Sequence, residues 1–230
     1  MSAAPQTIFV IDDDVGVLKA LERLLLATGY EVRSFRSAQA FLEEHNPETA
    51  GCVILDIGLH DMNGLDLQKM LADSGCDRPI VFLTGRGDIP MSVQAMRAGA
   101  VSFLTKPVQS GELFSAIHLA LEKDRVSRET RRTLDTINTR FASLTSREGE
   151  VLRYVISGQL NKQIAAELGT AEKTVKVHRG RMMQKMGTRS VAELVRLCDR
   201  GGIAPAQSCL GNDANRASAA LVSAPFAKSQ

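Results

Sequence analysis

The strongest constraint on the fold is a regular alternation of short apolar and amphipathic segments over the first 120 residues. The apolar segments span residues 7–11, 31–35, 52–56, 79–84 and 101–105. The segments between them place apolar residues three and four positions apart, which is the period of a helix that packs on one face. Nearly continuous apolar segments of this length are typical of strands covered on both faces. The pattern therefore predicts an α/β doubly wound fold, in which helices cover both faces of a five-stranded parallel sheet.

Polar residues of several chemical types stand at the ends of four predicted strands. Asp12 and Asp13 follow the first strand, and Asp56 ends the third. Thr84 and Lys106 stand at the ends of the fourth and fifth strands. Three consecutive aspartates such as Asp12–Asp14 usually form only a solvated loop. The carboxyl ends of parallel strands, however, form one edge of the sheet where ligands bind. Carboxylate oxygens favour a hard cation such as Mg²⁺, whereas lysine and a threonine hydroxyl suit a phosphoryl group.

A long charged helix is predicted after the fifth strand, over residues 110–143. No proline or glycine follows Gly111 in this segment, and its middle part, residues 122–132, is almost wholly charged. Two interpretations stay open, a solvated linker helix and a dimerising helix that transmits a signal. The heptad pattern is too broken to choose between them.

The chain from Leu144 onward has only helical periodicity. Thr145 and Glu148 form a capping-box pattern that begins a helix, which we expect to end at Ser157. Three further helices are predicted over residues 161–169, 171–187 and 190–200. The sequence thus predicts four parts: a domain over 1–122, a linker helix over 123–143 that continues its last helix, a four-helix all-α domain over 144–203, and a disordered tail over 204–230.

Charge and composition separate the two halves of the chain. Residues 1–123 contain 10 Lys/Arg and 16 Asp/Glu, whereas residues 124–230 contain 18 and 10. A basic second half indicates a nucleic-acid partner. The sequence has no apolar run of membrane length, no signal peptide, and four cysteines without paired spacing. These features predict a cytoplasmic protein with free thiols and no membrane partner.

Residues 6–122 resemble the receiver domain of bacterial response regulators in the acidic pair Asp12–Asp13, in Asp56, in Thr84 and in Lys106–Pro107. The resemblance implies that a sensor histidine kinase phosphorylates Asp56. It also implies a Mg²⁺ ion bound by Asp13, Asp56 and the backbone carbonyl of Gly58, with Asp12 assisting through water. Thr84, Lys106 and Phe103 would be the catalytic and switch residues, and Asp14 would lie outside the metal shell.

One loop departs from the receiver pattern. Receivers usually have Met and Pro three and four residues after the phosphorylated aspartate, where this chain has Leu59 and His60. Loss of the proline, together with Gly58, predicts a looser loop. His60 is either a surface side chain without a role or an ionisable group that changes the phosphorylation rate.

Residues 144–197 are similar to the LuxR-type helix-turn-helix of the NarL/FixJ class, in the motifs LTSRE, NKQIA and KTVKVHR. The resemblance implies that Lys176 and Val177 face DNA base edges. The side chains expected to contact phosphates are Lys162, Lys173, Thr174, Arg179 and Arg181. Ala171 stands where the family usually has serine at the cap of the recognition helix, so that cap is expected to be lost unless Thr170 replaces it.

Together these features predict a transcriptional response regulator of a two-component system. Phosphorylation of Asp56 would favour a homodimer that binds double-stranded promoter DNA and acts with RNA polymerase. The protein would accept and hydrolyse its own phosphoryl group but would have no separate substrate, so it is not expected to be an enzyme. Two alternatives stay open: a Mg²⁺-dependent phosphohydrolase, although Gly16 stands where its hydroxyl residue belongs, and a LuxR-type regulator that senses a small molecule.

Overall fold

The computed structural model describes residues 6–85 and 89–206, which form two compact units that meet in sequence at Arg131 and Arg132. The strands of the first unit are β1 (Thr7–Ile11), β2 (Glu31–Phe35), β3 (Gly51–Leu55), β4 (Ile80–Thr84) and β5 (Ser102–Thr105). Its helices are α1 (Val15–Ala27), α2 (Ala38–Glu44), α3 (Gly64–Asp73), α4 (Ile89–Arg97) and the first part of α5 (Ser110–Ala142). The predicted strands lie within one residue of these bounds.

All five strands are parallel and lie in the order β2-β1-β3-β4-β5. The three central strands are buried along their whole length, as the continuous apolar segments predicted. The edge strand β2 alternates exposed and half-buried residues and ends at the buried Phe35, and the opposite edge strand β5 is only partly buried. The predicted α/β doubly wound fold is confirmed.

Two apolar clusters cover the two faces of the sheet. One cluster contains Phe9, Phe41 and Phe82, whose side chains lie between the sheet and the helices on that side. The other contains Ile54, on the opposite face of β3, and Ile117 of α5. Alternate residues of each central strand therefore enter different clusters, so the sheet is covered on both faces.

Helix α5 is one continuous helix of 33 residues, close to the predicted span of 110–143. Its last apolar contact with the sheet is Leu121. Further along α5, the buried carboxylate of Asp124 accepts hydrogen bonds from Gly51 N (2.9 Å) and Arg128 Nε (2.8 Å). The Arg128 guanidinium also donates to the carbonyls of Pro47, Glu48 and Thr49. We call Asp124, Arg128, Gly51 and these three carbonyls the α5 clamp.

The second unit contains the end of α5 and four helices, α6 (Ser146–Ile156), α7 (Asn161–Glu167), α8 (Glu172–Met186) and α9 (Val191–Arg200). The predicted capping box at Thr145 and Glu148 is present. Helix α8 has Ala171 at its N-cap position and no side-chain cap, so Thr170 does not replace the missing serine. It ends at Gly187, whose φ of 66° and ψ of 31° are readily adopted by glycine.

The described part of the tail, residues 204–206, lies against the second unit, where Ala206 N donates to the Arg153 carbonyl. The rest of the predicted disordered tail, residues 207–230, lies outside the described residues. Over residues 6–85 and 89–206, no helix combines the length and apolar character that a membrane span requires.

Candidate functional site

Three carboxylates meet at the carboxyl edge of the sheet. Asp12 and Asp56 are buried, with 2% and 7% of their surface exposed, whereas Asp13 is partly exposed. One oxygen from each of the three residues lies within 4.8 Å of the others. The register explains this meeting, because Ile11 and Leu55 are directly paired and the aspartates follow them immediately.

The ammonium group of Lys106 lies between two of these carboxylates. Its Nζ is 2.5 Å from Asp12 Oδ2 and 3.3 Å from Asp56 Oδ1. The backbone fixes the start of this side chain, since Lys106 N donates to the Thr84 carbonyl at 2.7 Å. One lysine against three carboxylates leaves the cluster with a formal excess of two negative charges, which a divalent cation would balance.

The pKa of Asp56 is raised above its ordinary value. Burial is the main cause, the charge of Asp12 acts in the same direction, and Lys106 and the backbone N–H of Gly58 oppose both. Gly58 therefore lies against the Asp56 carboxylate, next to the three acidic groups. Three carboxylates, two buried and one partly exposed, fit a hard cation such as Mg²⁺ in both charge and ligand type.

The predicted switch residues lie on the two neighbouring strands. Thr84 is buried at the end of β4. Phe103 is partly buried on β5 and packs against the apolar cluster of Phe82, with 6.3 Å between the two ring centroids. Both predicted residues therefore lie on the β4–β5 side of the carboxylate cluster, in the order that the sequence indicated.

Asp14, the third residue of the acidic triplet, has a different task. Its Oδ1 accepts hydrogen bonds from Gly16 N (2.7 Å) and Val17 N (3.3 Å), so Asp14 is the N-cap of α1. Of the three aspartates that follow β1, two therefore join the carboxylate cluster and the third caps a helix. The sequence placed Asp14 outside the metal shell, but its role as a helix cap was not predicted.

The loop that follows Asp56 has more contacts than the missing proline suggested. Ile57 and Leu59 are buried in the apolar cluster of α2 and α3. The His60 side chain is 89% exposed, and its Nδ1 contacts a carboxylate oxygen of Asp13. Asp61 is hydrogen bonded to the N-terminus of α2. The prediction of a loose loop considered only glycine and proline, and the structure shows contacts that restrain it.

In the second unit, α8 has one buried and one exposed face. Val175, Met182 and Met186 are buried in the core of the unit. The residues predicted to contact DNA from the other face of α8 are all exposed, namely Lys173, Thr174, Lys176, Val177 and Arg181. Lys162 is exposed on α7. An exposed basic helix of this kind is suited to the major groove of DNA.

Arg179 differs from the other predicted phosphate contacts. It is half-buried, and its Nη1 donates to Asn161 Oδ1 at 2.9 Å. The guanidinium therefore joins α8 to the first residue of α7, and its remaining donors are available for another acceptor. His178, the residue before Arg179, is also half-buried.

Comparison with known proteins agrees with both halves of this description. Residues 8–118 match the model of the response regulator receiver domain, and residues 142–198 match that of the bacterial regulatory proteins of the luxR family. Nodulation protein W of Bradyrhizobium diazoefficiens is 44% identical over 196 residues, which cover 85% of this chain and 86% of that protein. The chain is a response regulator with a LuxR-type DNA-binding domain.

Further relatives of this response regulator have the same organisation. The response regulator protein TodT of Pseudomonas putida is 44% identical over 200 residues, 87% of this chain and 88% of TodT. The solved structure of the response regulator StyR is 47% identical and has a TM-score of 0.80, with coverage of 86% of this chain and all of StyR. The transcriptional regulatory protein FixJ of B. diazoefficiens is 37% identical over 85% of this chain and 96% of FixJ.

These matches establish a transcription regulator of the NarL/FixJ class. The receiver domain implies a histidine kinase as partner, and the LuxR-type domain implies DNA binding. The relatives are regulators rather than conventional enzymes. They give no support to a phosphohydrolase, and the receiver match accounts for the strand-end residues that a ligand-sensing regulator does not need.

Proposed function

We propose that a histidine kinase phosphorylates this response regulator on Asp56 in the presence of Mg²⁺, and that the phosphorylated form dimerises and controls transcription from promoter DNA. The observation that carries the proposal is the cluster of Asp12, Asp13 and Asp56 with Lys106 between two of the carboxylates. Acidic oxygens and an ammonium group in one cluster are the parts that phosphoryl transfer needs.

Asp13, Asp56 and the backbone carbonyl of Gly58 are the groups that we expect to hold Mg²⁺, with Asp12 assisting through a water molecule. Bound there, the ion would neutralise negative charge on the phosphoryl oxygens of the donor. Lys106 already pairs with Asp12 and Asp56 and supplies a second positive charge from the other side.

The transfer itself would take place at an Asp56 carboxylate oxygen. That oxygen attacks phosphorus, a new P–O bond forms, and the bond from phosphorus to the donor's histidine nitrogen or carboxylate oxygen breaks. The new acyl phosphate brings phosphoryl oxygens to Lys106 and Thr84, whose ammonium and hydroxyl groups can donate to them. We expect Thr84 to move toward the phosphoryl group and Phe103 to turn inward, and we expect this change to favour dimerisation.

In the second unit, we propose that α8 enters the major groove, where Lys176 and Val177 face base edges. Lys162, Lys173, Thr174, Arg179 and Arg181 would contact phosphates. A dimer would bind two half-sites related by twofold symmetry, and promoter-bound dimers would act with RNA polymerase. A regulator of promoter DNA is expected to work in the cytoplasm.

The proposal is tested by measuring the intact mass of the protein after incubation with acetyl phosphate, with and without Mg²⁺. We expect the native protein to gain one phosphoryl group only with Mg²⁺, and Asp56→Asn to gain none. Asp14→Asn is the matched control, because it removes a charge from the same triplet while asparagine still caps α1. A phosphoryl gain in Asp56→Asn equal to that of the native protein would refute the assignment.

The DNA half of the proposal needs its own measurement. Binding sites are selected from a library of random duplexes with phosphorylated and unphosphorylated protein, and the mass of each complex is measured by light scattering. We expect phosphorylation to enrich a pair of half-sites and to produce a complex with two protein chains. Equal enrichment and one chain per duplex in both states would contradict regulation by dimerisation.

A further inference from the structure

The loop between β3 and α3, residues 57–63, surrounds the Asp56 carboxylate on one side. Gly58 donates its backbone N–H to that carboxylate and forms a backbone bridge with Asn63, which caps α3. Ile57 and Leu59 hold the start of the loop by burial. His60 and Asp61 are exposed and have no proline to restrict their backbone, whereas Met62 is partly buried and packs against the apolar cluster.

Asp61 supplies a restraint that the proposed function does not include. Its Oδ2 accepts from Gln39 N at 3.0 Å and its Oδ1 accepts from Ala38 N at 3.3 Å. These are the N–H groups of the first two residues of α2, which have no partner inside the helix. Ser37, the local N-cap, accepts only from Ala40 N at 3.1 Å. Two bonds from one carboxylate fix both the position and the orientation of the Asp61 side chain.

The electrostatics favour a charged Asp61. Desolvation disfavours the charged form, but the backbone N–H groups of Gln39, Ala38, Asp61 and Met62 together outweigh it, and the pKa of Asp61 is lowered. A charge-assisted bond to backbone N–H groups is stronger than a neutral one. The positive end of α2 adds to the attraction, since a helix N-terminus favours a carboxylate.

We propose that Asp61 is a positioning residue of the phosphoacceptor site: it ties loop 57–63 to α2 and thereby holds Gly58 beside Asp56. The inference rests on the proposed function, because it concerns the groups expected to bind Mg²⁺. Asp61 itself contacts neither the carboxylate cluster nor a phosphoryl donor. It acts through the backbone of the loop, as groups that orient metal ligands generally do.

The test compares Asp61→Ala and Asp61→Asn with Ser37→Ala in the full-length protein. Ser37→Ala removes a cap from the same end of α2 but leaves the loop untouched, so it is the matched control. Affinity for Mn²⁺, used as the probe for the divalent site, is measured by electron paramagnetic resonance. The rate of phosphorylation by acetyl phosphate is followed by mass. Hydrogen exchange is measured separately for residues 57–63 and 38–44.

We expect Asp61→Ala to weaken Mn²⁺ binding about 10-fold, to slow phosphorylation and to speed exchange in the loop. Ser37→Ala should speed exchange in α2 alone and keep the native Mn²⁺ affinity. Should Asp61→Ala fail to fold, Asp61→Asn carries the test. Its amide group has one acceptor oxygen in place of the two that Asp61 uses, so we expect Mn²⁺ binding to weaken about threefold.

Three outcomes overturn the inference. They are native Mn²⁺ affinity in Asp61→Ala, native affinity in Asp61→Asn where the alanine variant does not fold, and equal losses in Asp61→Ala and Ser37→Ala. The last of these would mean that only the stability of α2 matters. If the proposed function itself is wrong, the native protein will bind no Mn²⁺ and gain no phosphoryl group. That result differs from all three outcomes above, which concern the variants.

Discussion

The α5 clamp predicts that removing one partly exposed arginine, Arg128, causes an unusually large loss of stability. In Arg128→Ala, the carboxylate of Asp124 loses its ionic partner and retains only the hydrogen bond from Gly51 N. Only 3% of the surface of Asp124 is exposed, so water cannot fully replace the guanidinium. The carbonyls of Pro47, Glu48 and Thr49 also lose a donor, but they belong to a surface loop where water can take its place.

The magnitude follows from the buried pair. Removing one partner of a buried ion pair costs about 3–5 kcal/mol because the other charge stays buried without compensation. Since the Gly51 N–H still donates and the Arg128 side chain is 19% exposed, we expect the lower end, a loss of about 3 kcal/mol in the free energy of unfolding. That is a large fraction of the total stability of a domain.

The matched control is Arg125→Ala, on the same helix. Arg125 pairs with Glu122 and Glu129, and all three side chains are more than half exposed. Exposed pairs of this kind contribute little to stability, because water screens them. The two variants remove the same side chain one turn apart, so helix propensity is matched and only the burial of the partner differs.

Native-state hydrogen exchange of the β3 amides measures the difference in the full-length protein. These amides are buried in the centre of the sheet and exchange when the receiver domain unfolds. A loss of about 3 kcal/mol speeds their exchange by about 100-fold, since about 1.4 kcal/mol corresponds to a factor of ten. Arg125→Ala should change the rate by a few-fold at most. Equal rates in the two variants would refute the argument from the buried carboxylate.

Two further predictions concern the DNA-binding domain. The hydrogen bond from Lys185 lowers the pKa of Glu148 to about 2 from an ordinary 4.5, so Glu148 stabilises the folded domain fully above pH 4.5 and loses this effect as the pH falls toward 2. Glu148→Gln should therefore flatten the dependence of urea stability on pH in that window, and an unchanged slope would contradict the ion pair. Lys173→Ala should weaken binding to selected and random DNA alike and reduce the slope of log affinity against log salt by about 1. An unchanged salt slope would exclude Lys173 as a phosphate contact.

The periodicity of the sequence was sufficient to predict the fold and to predict which residues meet at the candidate site. Apolar runs determined the strands, and the residues directly after Ile11 and Leu55 had to meet because parallel pairing aligns those ends. The order of polar residues along the chain was enough to bring Asp56 and Lys106 to one edge. These features depend on local pattern and on one topological rule.

The features that the sequence did not reveal are long-range contacts of single polar side chains. Asp124 contacts a backbone N–H that lies 73 residues earlier, and Asp61 contacts the start of a helix 22 residues earlier. Nothing in the local pattern distinguishes either aspartate from the solvated acids around it. Arg179 likewise has the spacing of an exposed DNA contact, whereas the structure shows that it pairs with Asn161.

The position of the α5 clamp has a consequence for how such receivers can diversify. Gly51 of the clamp and the candidate phosphoacceptor Asp56 lie at opposite ends of one strand, separated by about 17 Å at 3.3 Å per residue. Mutations in the loops at the carboxyl edge can alter the lifetime of a signal while the anchor of the helix at the other edge stays intact. Natural variation in signal timing should therefore accumulate around residues such as His60, and changes at Asp124 and Arg128 should occur only together.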